Sequence, residues 1–152
     1  MTTRAYVAIG ANLGNARAAV AQALLDLDDL PRSRVVARSS FYRSAPFEAK
    51  GADFINAVAA LDTALDAHAL LHALQQLEQR AGRERPYRNA PRTLDLDLIL
   101  HGDTVLDTPT LTLPHPRMDA RAFVLRPLAE IAPERVSPAA LAAVSAQQIE
   151  RL

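Results

Sequence analysis

Apolar and polar residues alternate with a period of two along Leu94-Asp95-Leu96-Asp97-Leu98-Ile99-Leu100, which predicts a β-strand. Such a strand sends Leu94, Leu96, Leu98 and Leu100 to one face and Asp95, Asp97 and Ile99 to the other. Ala5 to Gly10 reads as a short buried strand followed by a glycine-bearing turn, with Asn15 placed to cap the next helix. Residues 16–30 carry Val20, Leu24 and Leu27 at helical spacing, and Pro31 closes the segment. Val35 to Arg43 predicts a second strand, broken by Ser44-Ala45-Pro46-Phe47. In a third, Phe54 to Thr63, Phe54, Asn56, Val58 and Ala60 share one face, and Ile55, Ala57, Ala59 and Leu61 the other. The leucine stripe at 70, 71, 74 and 77 predicts a helix over 67–81 that Gly82 ends. Thr104 to Leu106 and Leu111 to Leu113 predict a hairpin around Pro109, and helices are expected over 123–131 and 138–152.

Without these late additions the order is β-α-β-β-α-β, the α+β ferredoxin-like pattern, with an added β-hairpin and C-terminal helices. No repeat or linker interrupts it, so residues 1–152 are expected to form a single domain.

Composition narrows the function. Basic and acidic residues both number 17, so a net charge of zero argues against a general nucleic-acid or membrane-surface role. Cysteine is absent, which removes disulfides, thiol nucleophiles and cysteine-based zinc sites. Without a long apolar run or a basic leader, the expectation is a cytoplasmic protein, here taken as a monomer.

The alternating strand carries the chemistry. Its two carboxylates sit side by side, about 6.6 Å apart at their Cα atoms, where they would repel each other unless neutralised or solvated. A shared Mg²⁺, completed by substrate phosphates, removes that repulsion. Just upstream, Arg83, Arg85, Arg88 and Arg92 oppose a single carboxylate, Glu84. Acids suited to a metal beside a loop of arginines point to a polyphosphate substrate. With its two prolines and little apolar surface, the 83–92 segment is expected to close over a triphosphate.

Pro91-Arg92-Thr93-Leu94-Asp95-Leu96-Asp97, Pro114-His115-Pro116-Arg117-Met118 and Arg121-Ala122-Phe123 together resemble the 6-hydroxymethyl-7,8-dihydropterin pyrophosphokinase family. Ile9-Gly10-Ala11-Asn12-Leu13-Gly14, Ser40-Phe41-Tyr42-Arg43-Ser44 and Phe54-Ile55-Asn56-Ala57 match in order and spacing, so the resemblance spans roughly residues 5–135. It implies transfer of pyrophosphate from ATP to the pterin's hydroxymethyl oxygen, giving AMP, in folate biosynthesis. It implies two Mg²⁺ ions on Asp95 and Asp97, with Arg83 and Arg92 as the catalytic phosphate-binding arginines. It puts the pterin between Phe54 and Phe123 and beside Asp95, its polar edge read by Asn56 and by backbone groups of Ser44, Ala45 and Phe47. Gln75, Glu78, Arg83, Arg92, Leu98, Thr112, His115 and Arg121 fall at its ATP-binding positions.

Two departures touch nucleotide binding: Thr110 stands where the family often has an arginine, and Asn89 where some members have tryptophan. A non-catalytic ferredoxin-like module, reading RNA or a small regulatory ligand, is the competing class. An RNA reader needs exposed stacking aromatics and a basic face, whereas the fourth strand here offers Asp95 and Asp97.

Overall fold

The computed structural model of the chain describes residues 1–45, 52–82 and 94–152. The elements run β1 (Thr3–Ala11), α1 (Ala16–Asp28), β2 (Ser33–Arg38), β3 (Tyr42–Ser44), β4 (Phe54–Thr63), α2 (Ala67–Ala81) and β5 (Asp95–His101). They continue with β6 (Leu106–Asp107), β7 (Thr112–Leu113), α3 (Ala122–Ile131), α4 (Pro138–Ala143) and β8 (Ile149–Arg151). The main sheet has the order β5-β1-β4-β3-β8, β2 also pairs with β4, and β6 and β7 form a separate ribbon. Every pair in the main sheet is antiparallel. The first and last strands of the β-α-β-β-α-β core lie side by side, which is the ferredoxin-like arrangement the sequence predicts.

Each sheet face has its own apolar layer. Val7, Ile9, Leu61, Leu96 and Leu98 pack on one side against Leu24 and Leu27 of α1 and Leu70 and Leu74 of α2. Tyr6, Ala8, Val58, Ala60, Ile99 and Leu100 pack on the other against Leu125 and Leu128 of α3 and Val144 after α4. Caps fix where the helices begin: Asn15 Oδ1 accepts from the Ala18 N–H at 3.0 Å and Asp66 Oδ1 from the Ala69 N–H at 2.8 Å. Gly14, at φ 57°, makes the left-handed turn ahead of α1 that a side chain would resist.

Three sequence expectations need correction. The strand over 35–43 is two strands, because Ser39 Oγ takes the Val58 N–H at 2.9 Å and the Ser40 N–H turns to Glu130. The ladder is interrupted there, and β3 resumes it against the far end of β4. Second, Leu100 does not share a face with Leu94, Leu96 and Leu98. A register shift against β1 puts Tyr6 opposite Leu100 and Val7 opposite Leu98, so Ile99 and Leu100 both join the α3 layer. Third, the helix over 138–152 stops at Ala143, and Ile149–Arg151 pairs with β3 instead. Edge-strand hydrogen bonding outweighs the helix propensity of the alanines once Val144 has been buried.

Candidate active site

The antiparallel register aligns four residues across the sheet: Tyr42 opposite Asn56, Asn56 opposite Gly10, and Gly10 opposite Asp95. Directly paired residues point to the same face, so this row lies on the α3 side. One pair further along, Val58, Ala8 and Asp97 form the next row on that face. The position of Asp95 and Asp97 on one side of β5 therefore follows from strand geometry, as the sequence predicts. Gly10 lies in β1, as the strand predicted over Ala5 to Gly10 requires, and the strand runs one residue further, to Ala11.

Asn56 is 3% exposed, and its Nδ2 donates to Ser44 Oγ at 2.7 Å. That bond orients the amide and leaves Oδ1 facing Gly10, where an added Cβ would stand 3.3 Å from it. The same Cβ would lie 3.9 Å from Phe54 Cδ1, so the glycine keeps the floor between the amide and the ring low. Phe54 heads β4 and is half-buried, with Ser44 as its ladder partner. A half-buried ring beside an oriented amide can stack on one face of a heterocycle while the amide reads its edge.

Asp95 is exposed, and the Asp97 side chain keeps 43% of its surface in solvent. Arg121 Nη1 lies 3.8 Å from Asp97 Oδ2, and the same guanidinium stands 5.4 Å above the Phe123 ring. Phe123, in the first turn of α3, is half-buried, which leaves part of its ring for contact. His115 approaches this group from the loop after β7, where its N–H donates to the Ile99 carbonyl at 3.0 Å and its Nδ1 accepts from the Arg117 N–H at 3.1 Å. Burial holds the His115 imidazole below its usual pKa, Asp97 pulls it up, and Arg121 and Arg117 push it down again. The ring is neutral at pH 7, with Nε2 carrying the proton since Nδ1 accepts.

Among the described residues no three acidic or imidazole groups gather as a metal cluster. Two adjacent, partly exposed carboxylates fit Mg²⁺ nonetheless, because that ion fills its octahedron with water and substrate phosphate oxygens.

Other sequence-predicted residues lie around this face or off it. Ala45 follows β3 and is exposed, and Thr112 lies on β7. Leu98 is 3% exposed in the layer under α1 and α2, so its side chain does not join the carboxylates. Gln75 is exposed on α2, and Glu78 Oε2 accepts the Leu96 N–H at 2.9 Å, tying α2 to β5. Phe47, Arg83, Arg85, Arg88 and Arg92 lie outside the described residues, as does the expected closing segment. A depression of about 810 Å³ lined by Leu30, Leu65, His72, Leu77 and Arg80 contains none of the predicted site residues.

Sequence reasoning missed the supports. Glu130 of α3 accepts from Tyr42 Oη at 2.7 Å, the Ser40 N–H at 2.9 Å and Ser40 Oγ at 3.0 Å, pinning α3 to β3. Burial pushes the Tyr42 phenol up to about 12, and the Glu130 bond adds to that. Burial works to raise the Glu130 carboxyl, but the bonds from Tyr42 and Ser40 outweigh it and hold the group below its usual pKa. These partners are 88 and 90 residues apart in the chain, and no local pattern in the sequence marks them.

Known proteins resemble this chain in sequence and in fold. Residues 6–133 match the family model for 7,8-dihydro-6-hydroxymethylpterin-pyrophosphokinase (HPPK). The chain is 48% identical over 159 residues to the 2-amino-4-hydroxy-6-hydroxymethyldihydropteridine pyrophosphokinase of Pseudomonas aeruginosa, covering 100% of this chain and 98% of that protein. To the pyrophosphokinase of the same name from Methylorubrum extorquens it is 43% identical, over 88% of this chain and 85% of that one. Its fold is similar to that of a crystal structure described as HPPK-DHPS in complex with substrates, at a TM-score of 0.71 and 12% identity over 95% of this chain. This chain spans 43% of the length of that one. The class defined is thus an α+β transferase of ferredoxin-like topology. The chain belongs to the 7,8-dihydro-6-hydroxymethylpterin-pyrophosphokinase family, whose enzymes transfer pyrophosphate from ATP in folate biosynthesis. A non-catalytic module is not favoured.

Proposed function

We propose that Asp95 and Asp97 hold two Mg²⁺ ions against the phosphates of ATP while Asn56, Phe54 and Phe123 hold 6-hydroxymethyl-7,8-dihydropterin beside them. The observation that carries this is the register: Asn56, Gly10 and Asp95 stand in one cross-strand row, with Asp97 one pair away on the same face. The pterin's hydroxymethyl oxygen attacks the β-phosphorus, the bond to the α–β bridging oxygen breaks, and AMP leaves. Bound Mg²⁺ supplies neutralisation of the developing phosphate charge and alignment of the phosphates.

The chain's own residues do the rest. Phe54 and Phe123 offer half-buried rings to the two faces of the pterin. Asn56, oriented by Ser44, reads its amide-like edge with backbone groups of Ser44, Ala45 and Phe47. Arg121 and the Nε2–H of His115 donate to phosphate oxygens, and Arg83 and Arg92 grip the same group. Gln75, Glu78, Leu98 and Thr112 complete the nucleotide side. Leu98 can serve there only through its backbone, since its side chain is enclosed. We take residues 1–152 to act as a single domain and as a monomer. ATP as co-substrate favours the cytoplasm.

Incubating the protein with ATP, Mg²⁺ and the pterin, and separating nucleotides by chromatography, tests the reading. AMP should accumulate only when both pterin and Mg²⁺ are present. AMP formation independent of the pterin, or none at all, would reject it.

A further inference from the structure

The N-cap position of α3 is held by Arg121, a side chain that can only donate and so cannot satisfy the amides at a helix start. The missing acceptor comes from the far end of the chain. Gln147 Oε1 accepts the Ala122 N–H at 2.9 Å, and Gln147 Nε2 donates to the Ala120 carbonyl at 2.8 Å. One amide therefore grips the backbone on both sides of Arg121. Gln147 is itself held: its N–H donates to the Val144 carbonyl at 3.0 Å, Val144 is 3% exposed in the α3 layer, and β8 follows at once on β3. With the backbone fixed on both sides of it by Gln147, the Arg121 guanidinium reaches toward Asp97 and over Phe123.

We infer that Gln147 is a positioning residue for Arg121, so that the C-terminal segment helps set the phosphate side of the site. The segment lies beyond the residues 6–133 that carry the family match. The inference rests on the reading of Arg121 as a nucleotide-binding group. Gln147 is exposed, so removing its side chain opens no core cavity and the variants should fold.

The test measures the Kd of Mg²⁺ with a non-hydrolysable ATP analogue, together with Tm, for Gln147→Ala and Gln147→Glu in the wild-type and Arg121→Ala backgrounds. Gln147→Ala should weaken binding by up to about five-fold, the limit reached if the whole of one lost cap is felt in binding. Gln147→Glu keeps an oxygen that accepts from Ala122 but turns its second oxygen against the Ala120 carbonyl, so it should recover only part of that loss. In the Arg121→Ala background Gln147→Ala should leave Kd unchanged while lowering Tm as much as before, because nothing remains to be positioned. An equal Kd loss in both backgrounds, a loss in Gln147→Glu as large as in Gln147→Ala, or a lowered Tm with unchanged Kd would overturn the inference. A wild-type protein that binds the analogue but forms no AMP with pterin would instead count against the proposed reaction, and the Gln147 comparison would still be decided by binding.

Discussion

Gly10 stands across the ladder from Asn56, and a methyl group in its place would come within 3.3 Å of Asn56 Oδ1. The contact is tight but not impossible, so the backbone should survive while the amide shifts by a few tenths of an ångström. Gly10→Ala is therefore expected to raise the KM for the pterin about ten-fold and leave that for ATP near its normal value, since small misplacements at a site cost rate steeply. Tm should change by no more than a few degrees. Steady-state kinetics with each substrate varied in turn checks this.

Removing one carboxylate should separate catalysis from stability. Asp97→Asn is expected to lower turnover by several kcal/mol of transition-state stabilisation, the usual loss with a charged ligand. Its ion pair with Arg121 is long, at 3.8 Å, and partly solvated, so stability should move by less than about 1 kcal/mol. Urea titration beside calorimetry of Mg²⁺-dependent ATP binding measures the two quantities.

Phe54→Ala and Phe123→Ala should each weaken pterin binding by about 1–3 kcal/mol, the scale of stacking on an aromatic ring, and spare ATP binding. Both rings are only half-buried, which separates them from true core residues such as Leu125 at 0% exposure. Equal losses for both ligands would assign them to packing instead.

The Glu130 cluster predicts an acid limit to stability. Its carboxyl is held below the usual 4.5 in the folded protein, so its stabilisation is present above the unfolded value and is lost as pH falls through the folded one. Glu130→Gln should cost about 1–2 kcal/mol at pH 7, scaled down from a charged hydrogen bond because the side chain is 22% exposed. The cost should shrink in acid, where protonation of the wild-type carboxyl removes the same bonds. Urea unfolding at pH 7 and pH 3.5 gives both numbers.

What the sequence makes legible here is whatever depends on period and spacing. Two carboxylates at i and i+2 share a strand face under any ladder, and the α2 bounds of 67 and 81 follow from one leucine stripe between Asp66 and Gly82. What it hides depends on distant partners. β8 looks helical because its alanines precede it and its pairing partner lies more than a hundred residues earlier. The Ile99 register shift rests on fit against Tyr6 and Val7, and Gln147 caps a helix that begins 25 residues before it. Arg83 to Arg92 rest on sequence alone. Arg92, adjoining the carboxylate strand, should cost catalysis heavily when replaced by Ala, and Arg88 much less, as turnover numbers will show.

The most direct test of the account is the identity of the phosphate bond that breaks. Phosphorus NMR of ATP, Mg²⁺, the pterin and the protein should show AMP and a pterin diphosphate rising together in equal amounts, with no ADP. ADP with a pterin monophosphate, or free pyrophosphate with no phosphorylated pterin, would contradict the placement of the hydroxymethyl oxygen against the β-phosphorus.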